Sequence, residues 1–514
     1  MNNKKYIFRM IDDEYWYGGV VDQGINYPLN NNSEYEYDIR INESCNQVQP
    51  IMLSNKGRYI WCNDGFKVKV KKGEIEIITD GADVKLYEVG KTLKDSFKGA
   101  VKKFFPSNNM LPPEDFFVKP QYNTWIELLY NQNEADILKY AHNIIEKDMP
   151  VGIIMIDDGW SDYYGKWEFN KDKFPNPKKM VDELHNLGFK VMLWTCPFIT
   201  PDTIVFRELE ANGYLVKNSD GDVSIKKWWN GYSAVLDLTN PKAVEWYDNQ
   251  NRSLMALYGI DGFKFDAGDA KFYSLNDVTY EKVTPNRHSE LWGEFGLNYE
   301  YNEYRACYKV AGKHLVQRLA DKNHSWNENG VASLIPNQLT QGIVGYQYTC
   351  PDMIGGGEYM NFLANSESLD QELFVRYAQC AALMPMMQFS AAPWRVLSDT
   401  NFKRCREASW LHVRFAPYIY DLAKEASNTG EPIVRFMEYE FPNEGMEKIK
   451  DQFMLGDKYL VAPVIESNKV ERVIRLPKGV WKEVNENTII SIESSKDLIV
   501  KAPLDKLIIF ERIE

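Results

Sequence analysis

No stretch of the 514 residues approaches the ~20 uninterrupted apolar residues of a membrane-spanning helix. The opening run MNNKKYIFRMIDDEYWYG puts charges where a secretion signal would have its apolar segment, so no signal peptide is expected. The seven cysteines (45, 62, 196, 307, 350, 380 and 405) form no CxxC pair. An odd number at irregular spacing argues against a disulfide framework and for a reducing compartment, so a cytoplasmic protein is expected. The six histidines make neither HExxH nor HxH, which disfavours a metal site. No GxSxG elbow is present for a serine hydrolase, and no GxGxxG or GxxxxGK[ST] loop for a nucleotide; GGG at 355–357 has neither spacing. No cofactor is therefore expected. Internal repeats and low-complexity tracts are also missing.

What is present points elsewhere. With 60 basic and 73 acidic residues the net charge is −13, which disfavours nucleic acid and anionic membrane as partners. Fourteen Trp and 31 Tyr are many for one chain. Aromatic faces stack on the C–H faces of sugar rings while their polar edges bond hydroxyls, so this richness leans towards carbohydrate. The alternative is that a β-rich protein packs them in its cores.

Three regions follow from the rhythm of the chain. Residues 1–118 alternate polar and apolar, as in FKVKVKKGEIEIITDG, and predict an N-terminal β-sandwich. Prolines at 106, 112 and 113 mark its end. Residues 119–430 alternate strand and helix. VGIIMIDDGW (151–160) and FKVMLWTCPF (189–198) read as buried strands, and NPKKMVDELHNLG (176–188) as a helix with proline in its first turn and glycine at its end. Repeated units of this kind over ~300 residues predict an α/β fold, a (β/α)8 barrel. Residues 431–514 return to strands and predict one or two C-terminal β-domains.

The most telling stretch is GIDGFKFDAGDA (259–270). Phe263 and Phe265 alternate with other residues, so Lys264 and Asp266 share the opposite face of a short strand that ends in an acidic turn. Barrel enzymes keep nucleophiles and bases at the C-terminal ends of parallel strands. The competing reading is a structural Lys264–Asp266 ion pair. Asp157, Asp158, Trp194 and Asp352 also stand at predicted strand ends, where carboxylates and an indole would suit a sugar pocket. A helix N-cap is the alternative for Asp158 or Asp352.

With these residues in hand, the chain resembles the family 31 glycoside hydrolases, and within them the branch that carries KFDAG[DE]. The similarity runs through KWEFNKDKFPNPKKMVDELHNLGFKVMLWTCPFI, WWNGYSAVLDLTNPKAVEWY, SLIPNQLTQGIVGYQYTCPDMIGG and FMLGDKYLVAPVIE, in family order. It implies retaining α-glycosidases built from a β-sandwich, a (β/α)8 barrel and C-terminal β-domains. It assigns Asp266 as nucleophile, and Asp321, five residues before Trp326, as acid/base. Arg305 matches a family arginine that contacts the sugar, and Asp157 a second-strand acid that binds its hydroxyls. A small oligosaccharide or glycoside is the implied partner; self-association stays open.

Four departures bear on specificity. Met387-Gln388-Phe389 replaces the family's R-N-H, whose histidine binds glucose-type sugars. Arg318 stands where many members have Trp, and Lys264 replaces a Trp or hydrophobic residue. Two extra residues follow Trp326. A cation at 264 resembles the K-[YWF]-D motif of α-galactosidases and could bond an axial hydroxyl. An α-galactoside is therefore expected, with α-glucoside, α-xyloside or α-N-acetylgalactosaminide as alternatives. A catalytically silent sugar-binding protein is the rival.

Overall fold

Alternation in FKVKVKKGEIEIIT becomes an antiparallel hairpin of Lys67–Lys71 with Glu74–Thr79. The pairs Val68–Ile77 and Val70–Ile75 face the core, while Lys69–Glu76 and Lys71–Glu74 place opposite charges across the strands. Lys72 and Gly73 form the two-residue turn with φ of 52° and 73°, the left-handed geometry that matches strand twist. The computed structural model describes residues 3–514. This hairpin belongs to a four-stranded sheet, and a second, five-stranded sheet is centred on Gln47–Ser54 and Arg58–Cys62.

A three-turn helix, Leu93–Phe104, and a single helical turn, Asp115–Val118, lie in the region read as strands alone. Thr92 and Asp95 form a reciprocal capping box, and Leu93, Phe97, Ala100 and Val101 bury one helical face.

The centre of the molecule is an eight-stranded parallel sheet: β1 (Gln121–Asn123), β2 (Ile153–Ile156), β3 (Lys190–Thr195), β4 (Gly262–Phe265), β5 (Tyr301–Tyr304), β6 (Gln317–Arg318), β7 (Thr349–Cys350) and β8 (Gln388–Phe389). Each strand from β1 to β6 pairs with the next, and β8 pairs with β1. The remaining seam is bridged by Ile354 N–H, which donates to the Gln388 carbonyl at 2.8 Å. The result is a nearly closed (β/α)8 barrel. The helix Pro241–Tyr258 shows why its sequence stops where it does: Asn240 caps the start, and Gly259, at φ 82°, donates to Met255 at the end.

Between β5 and β6 the described chain forms no helix. Instead Cys307–Tyr308 pairs in parallel with Gln47–Val48 and stitches the barrel to the N-terminal sheet. Between β3 and β4 a three-stranded sheet rises above the barrel, carrying the hairpin Lys226–Trp228 and Gly231–Val235. The chain ends in a six-stranded antiparallel sheet with an accompanying two-stranded ribbon. Among the described residues no helix is long and apolar enough to cross a membrane.

Candidate active site

Strand β4 sorts its side chains by alternation. Phe265 packs outward against Trp292 and Phe295 of the helix Pro285–Gly296, at ring separations of 5.5 and 5.6 Å. Lys264 points the other way, into the barrel, and Asp266 follows at the strand's C-terminal end. The chain then turns sharply through Ala267 (φ 59°) and Gly268 (φ 73°). A non-glycine residue at positive φ is strained by ~1–2 kcal/mol, and here the strain aims a carboxylate. Gly268 allows the turn because a Cβ there would stand 2.1 Å from the Trp292 ring.

Three donors fix Asp266. Its Oδ1 accepts from Ala267 N–H (2.8 Å) and Arg305 Nε (3.1 Å), and its Oδ2 accepts from the Trp194 indole (3.0 Å). Burial alone would raise this carboxyl, but Arg305, Lys264 and Arg318 outweigh it and hold it well below the usual carboxylate range. Arg305 follows β5; its two terminal nitrogens grip Asp269 at 2.9 and 2.7 Å, and it also donates to the Cys45 carbonyl of the N-terminal region.

Lys264 Nζ lies 2.7 Å from Asp157 Oδ2, and both side chains are only 4% exposed. Burial opposes the lysine's charge, yet Asp157, Asp266 and Glu303 keep its pKa above the ordinary value. Asp158, at the same strand end, accepts from Tyr164 (3.0 Å) and from Asn230 of the β3–β4 hairpin (2.8 Å). Burial, then the neighbouring Asp157, push its carboxyl up to about 7.

These groups line a cavity of about 250 Å³ at the C-terminal mouth of the barrel. Of the residues expected in the site, Asp157, Asp158, Trp194, Lys264, Asp266, Arg305 and Asp321 all stand in its wall. Asp321 follows β6, is 37% exposed, and accepts from Arg318 Nη1 at 2.6 Å.

Two expected residues do not reach it. Asp352 is fully buried below the wall; it accepts from the backbone N–H groups of Lys322 and Gly357 at 2.6 and 2.7 Å and from Arg318 at 3.0 Å. It anchors loops where a sugar contact was expected. Trp326 is half-buried on the far side of its loop, with its indole donating to Asp370. Gln388 likewise lies under the floor, donating to Glu303 and Gln121.

A model of the glycosyl hydrolase family 31 TIM-barrel domain matches residues 119–422, and one of the family's C-terminal domain matches residues 430–513. The chain belongs to glycosyl hydrolase family 31. It is 33% identical over 405 residues to the myogenesis-regulating glycosidase of Mus musculus, covering 77% of this chain and 56% of that protein. To alpha-glucosidase 2 of Bacillus thermoamyloliquefaciens it is 26% identical over 410 residues, covering 74% and 50%. It thus spans about half the length of these two relatives. The family 31 dextranase of Flavobacterium johnsoniae, solved with glucose, superposes with a TM-score of 0.86 at 22% identity, over 99% of this chain and 66% of that one, a likeness of fold.

Within this family 31 site, several wall residues escaped the sequence reading. Trp229, 49% exposed, overhangs the mouth with its ring 5.5 Å from the Arg305 guanidinium. Trp125 and Tyr359 form an aromatic edge, 5.4 Å apart, on the wall as well. Glu358, Lys271 and Cys45 also stand in it, Lys271 Nζ lying 2.8 Å from Cys45 Sγ. Trp229 belongs to the family-like run WWNGYSAVLDLTNPKAVEWY, and the aromatic richness was its signal. Cys45 carried none, since it comes from another region of the chain.

Proposed function

We propose that this protein is a retaining, exo-acting α-glycosidase that removes a terminal α-linked sugar, α-galactosides being preferred. The observation that carries the reading is the state of Asp266: buried at a barrel strand end, charged, and gripped on one oxygen more than the other. Oδ1 takes two donors and Oδ2 takes one. Oδ2 therefore keeps a lone pair for the anomeric carbon.

In the first step Asp266 forms a bond to that carbon as the glycosidic bond breaks, and Asp321 gives its proton to the departing oxygen. In the second step Asp321 takes a proton from water, whose oxygen displaces Asp266 and releases the sugar with its α-configuration retained. Asp157, Asp158, Lys264 and Arg305 bond the hydroxyls, and Trp194 lines the ring. Lys264 spends one of its three donors on Asp157, which leaves two for an axial 4-hydroxyl.

A panel of 4-nitrophenyl α-glycosides tests this, with the product anomer followed by NMR. The expected result is fastest release from the galactoside, retention, and loss of turnover in a folded Asp266→Ala variant. Faster hydrolysis of the glucoside would overturn the sugar preference. Sugar binding without turnover across the panel would overturn the catalytic reading in favour of a silent binding protein.

A further inference from the structure

Arg318 closes β6 with its side chain 1% exposed, surrounded by three carboxylates. Its Nη1 donates to Asp321 Oδ1 at 2.6 Å, to Asp352 Oδ1 at 3.0 Å and to the Leu319 carbonyl at 3.0 Å. Its Nε lies 3.5 Å from Glu303 Oε1, too far for a good hydrogen bond, and has no other partner. Glu303 is itself anchored through its other oxygen to Gln388, across the barrel. Arg318 therefore spans from the barrel's interior to the cavity wall.

Asp352 completes the arrangement. One oxygen bonds Arg318; the other accepts from the N–H of Lys322, the residue directly after Asp321. It holds Asp321 twice, through the side chain that Asp321 bonds and through the backbone next to it. The same oxygen accepts from Gly357, just before the wall residue Glu358. Asp352 has no exposed surface. A sugar cannot touch it, so its effect on the reaction must pass through what it holds.

An exposed aspartate on a loop samples several rotamers, and proton transfer demands a donor within hydrogen-bond reach of the leaving oxygen. We propose that Arg318 and Asp352 form a buried clamp that positions Asp321 for proton transfer, both being positioning residues that never meet the substrate. This rests on the reading of Asp321 as acid/base. The clamp is a property of this chain's own sequence: Arg318 is one of the positions at which it departs from the family pattern, and a Trp there could not bridge two carboxylates.

Leaving-group dependence tests it. A 4-nitrophenyl group departs with little protonation, whereas an alkyl group must be protonated. kcat/KM is measured on both α-glycosides of the sugar the panel selects, for wild type, Asp321→Ala, Asp352→Asn and Arg318→Lys. In Asp352→Asn an amide NH2 meets the Arg318 N–H, or the amide oxygen deserts the backbone; in Arg318→Lys the guanidinium nitrogen that bridges Asp321 and Asp352 is lost while the charge stays. Each clamp variant is expected to lose about 10²-fold on the alkyl glycoside and less than about fivefold on the aryl one, in the direction of Asp321→Ala. Azide should accelerate aryl turnover in Asp321→Ala, where the carboxylate that would repel it is gone.

The ratio of the two values does not depend on the fraction of chain that folds. A general structural defect lowers both substrates together, and that result, or no change in either, would overturn the clamp. If Asp352→Asn yields no active protein, Arg318→Lys carries the same measurement. Selective loss in Asp321→Ala alone would remove the clamp and leave the acid/base reading standing. An unselective Asp321→Ala would remove both.

Discussion

Replacing Lys264 by methionine separates a sugar-reading cation from a structural one. The ammonium and Asp157 are 2.7 Å apart with both side chains 4% exposed, so removing the cation strands a buried carboxylate. Breaking such a pair from one side costs about 3–5 kcal/mol of stability. A charged hydrogen bond to a substrate hydroxyl is worth about 1.5–3 kcal/mol, which at 1.36 kcal/mol per decade is about 10- to 100-fold in kcat/KM. The two effects are distinguishable. The double variant Lys264→Met with Asp157→Asn removes the stranded charge and should recover much of the urea midpoint lost by Lys264→Met, while leaving the catalytic defect in place. The assay is kcat/KM for 4-nitrophenyl α-galactoside and α-glucoside on the same preparations. Lys264→Met should cost the galactoside about 10²-fold and the glucoside much less, because only the axial 4-hydroxyl loses its donor. An unchanged preference between the two epimers, whatever the absolute rates, refutes the role assigned to Lys264.

Asp158, pushed up to about 7 by burial and Asp157, keeps its proton in the folded state at pH values where an unfolded carboxyl, near 3.8, has released it. That contribution to stability is whole at low pH and is lost as the pH climbs from about 4 to about 7. Asp158→Asn should therefore melt above wild type by at least ~2 °C at pH 8, with the advantage gone at pH 4; a gap that does not change with pH would contradict this. Gly268→Ala places a Cβ 2.1 Å from the Trp292 ring at a φ of 73°, and should cost at least ~3 kcal/mol in chemical denaturation. A midpoint equal to wild type would show that the turn after Asp266 is looser than its packing implies.

The elements that were legible in the sequence are those whose two faces differ. The hairpin at Lys67–Thr79 alternates because one face meets solvent, and Pro241–Tyr258 carries both of its stop signals. Helix Leu93–Phe104 had its capping box and helical spacing in plain view, but it sits inside a tract dominated by alternation. The later barrel strands offered less. β6, β7 and β8 are two residues each, too short to show a period. The helix Leu334–Ile343 is buried at all ten positions, so it has no polar face to mark it.

The site was legible at strand ends and opaque between them. Asp321 and Asp352 each follow a short strand, and both were expected in the site; in space one forms the wall and the other lies beneath it. What decides their difference is the cation between them, and likewise the character of Asp266 depends on how Arg305 divides its donors. Both terminal nitrogens of Arg305 go to Asp269, which is fully buried, and only the single Nε is left for Asp266. A fork-to-fork pair with Asp266 would occupy both carboxylate oxygens and blunt the proposed nucleophile. By absorbing the fork, Asp269 lets Arg305 keep Asp266 ionised while Oδ2 stays open to the cavity. In the proposed mechanism the glycine-softened FDAGD turn is thus one device with two carboxylates, the second of which frees the first to react.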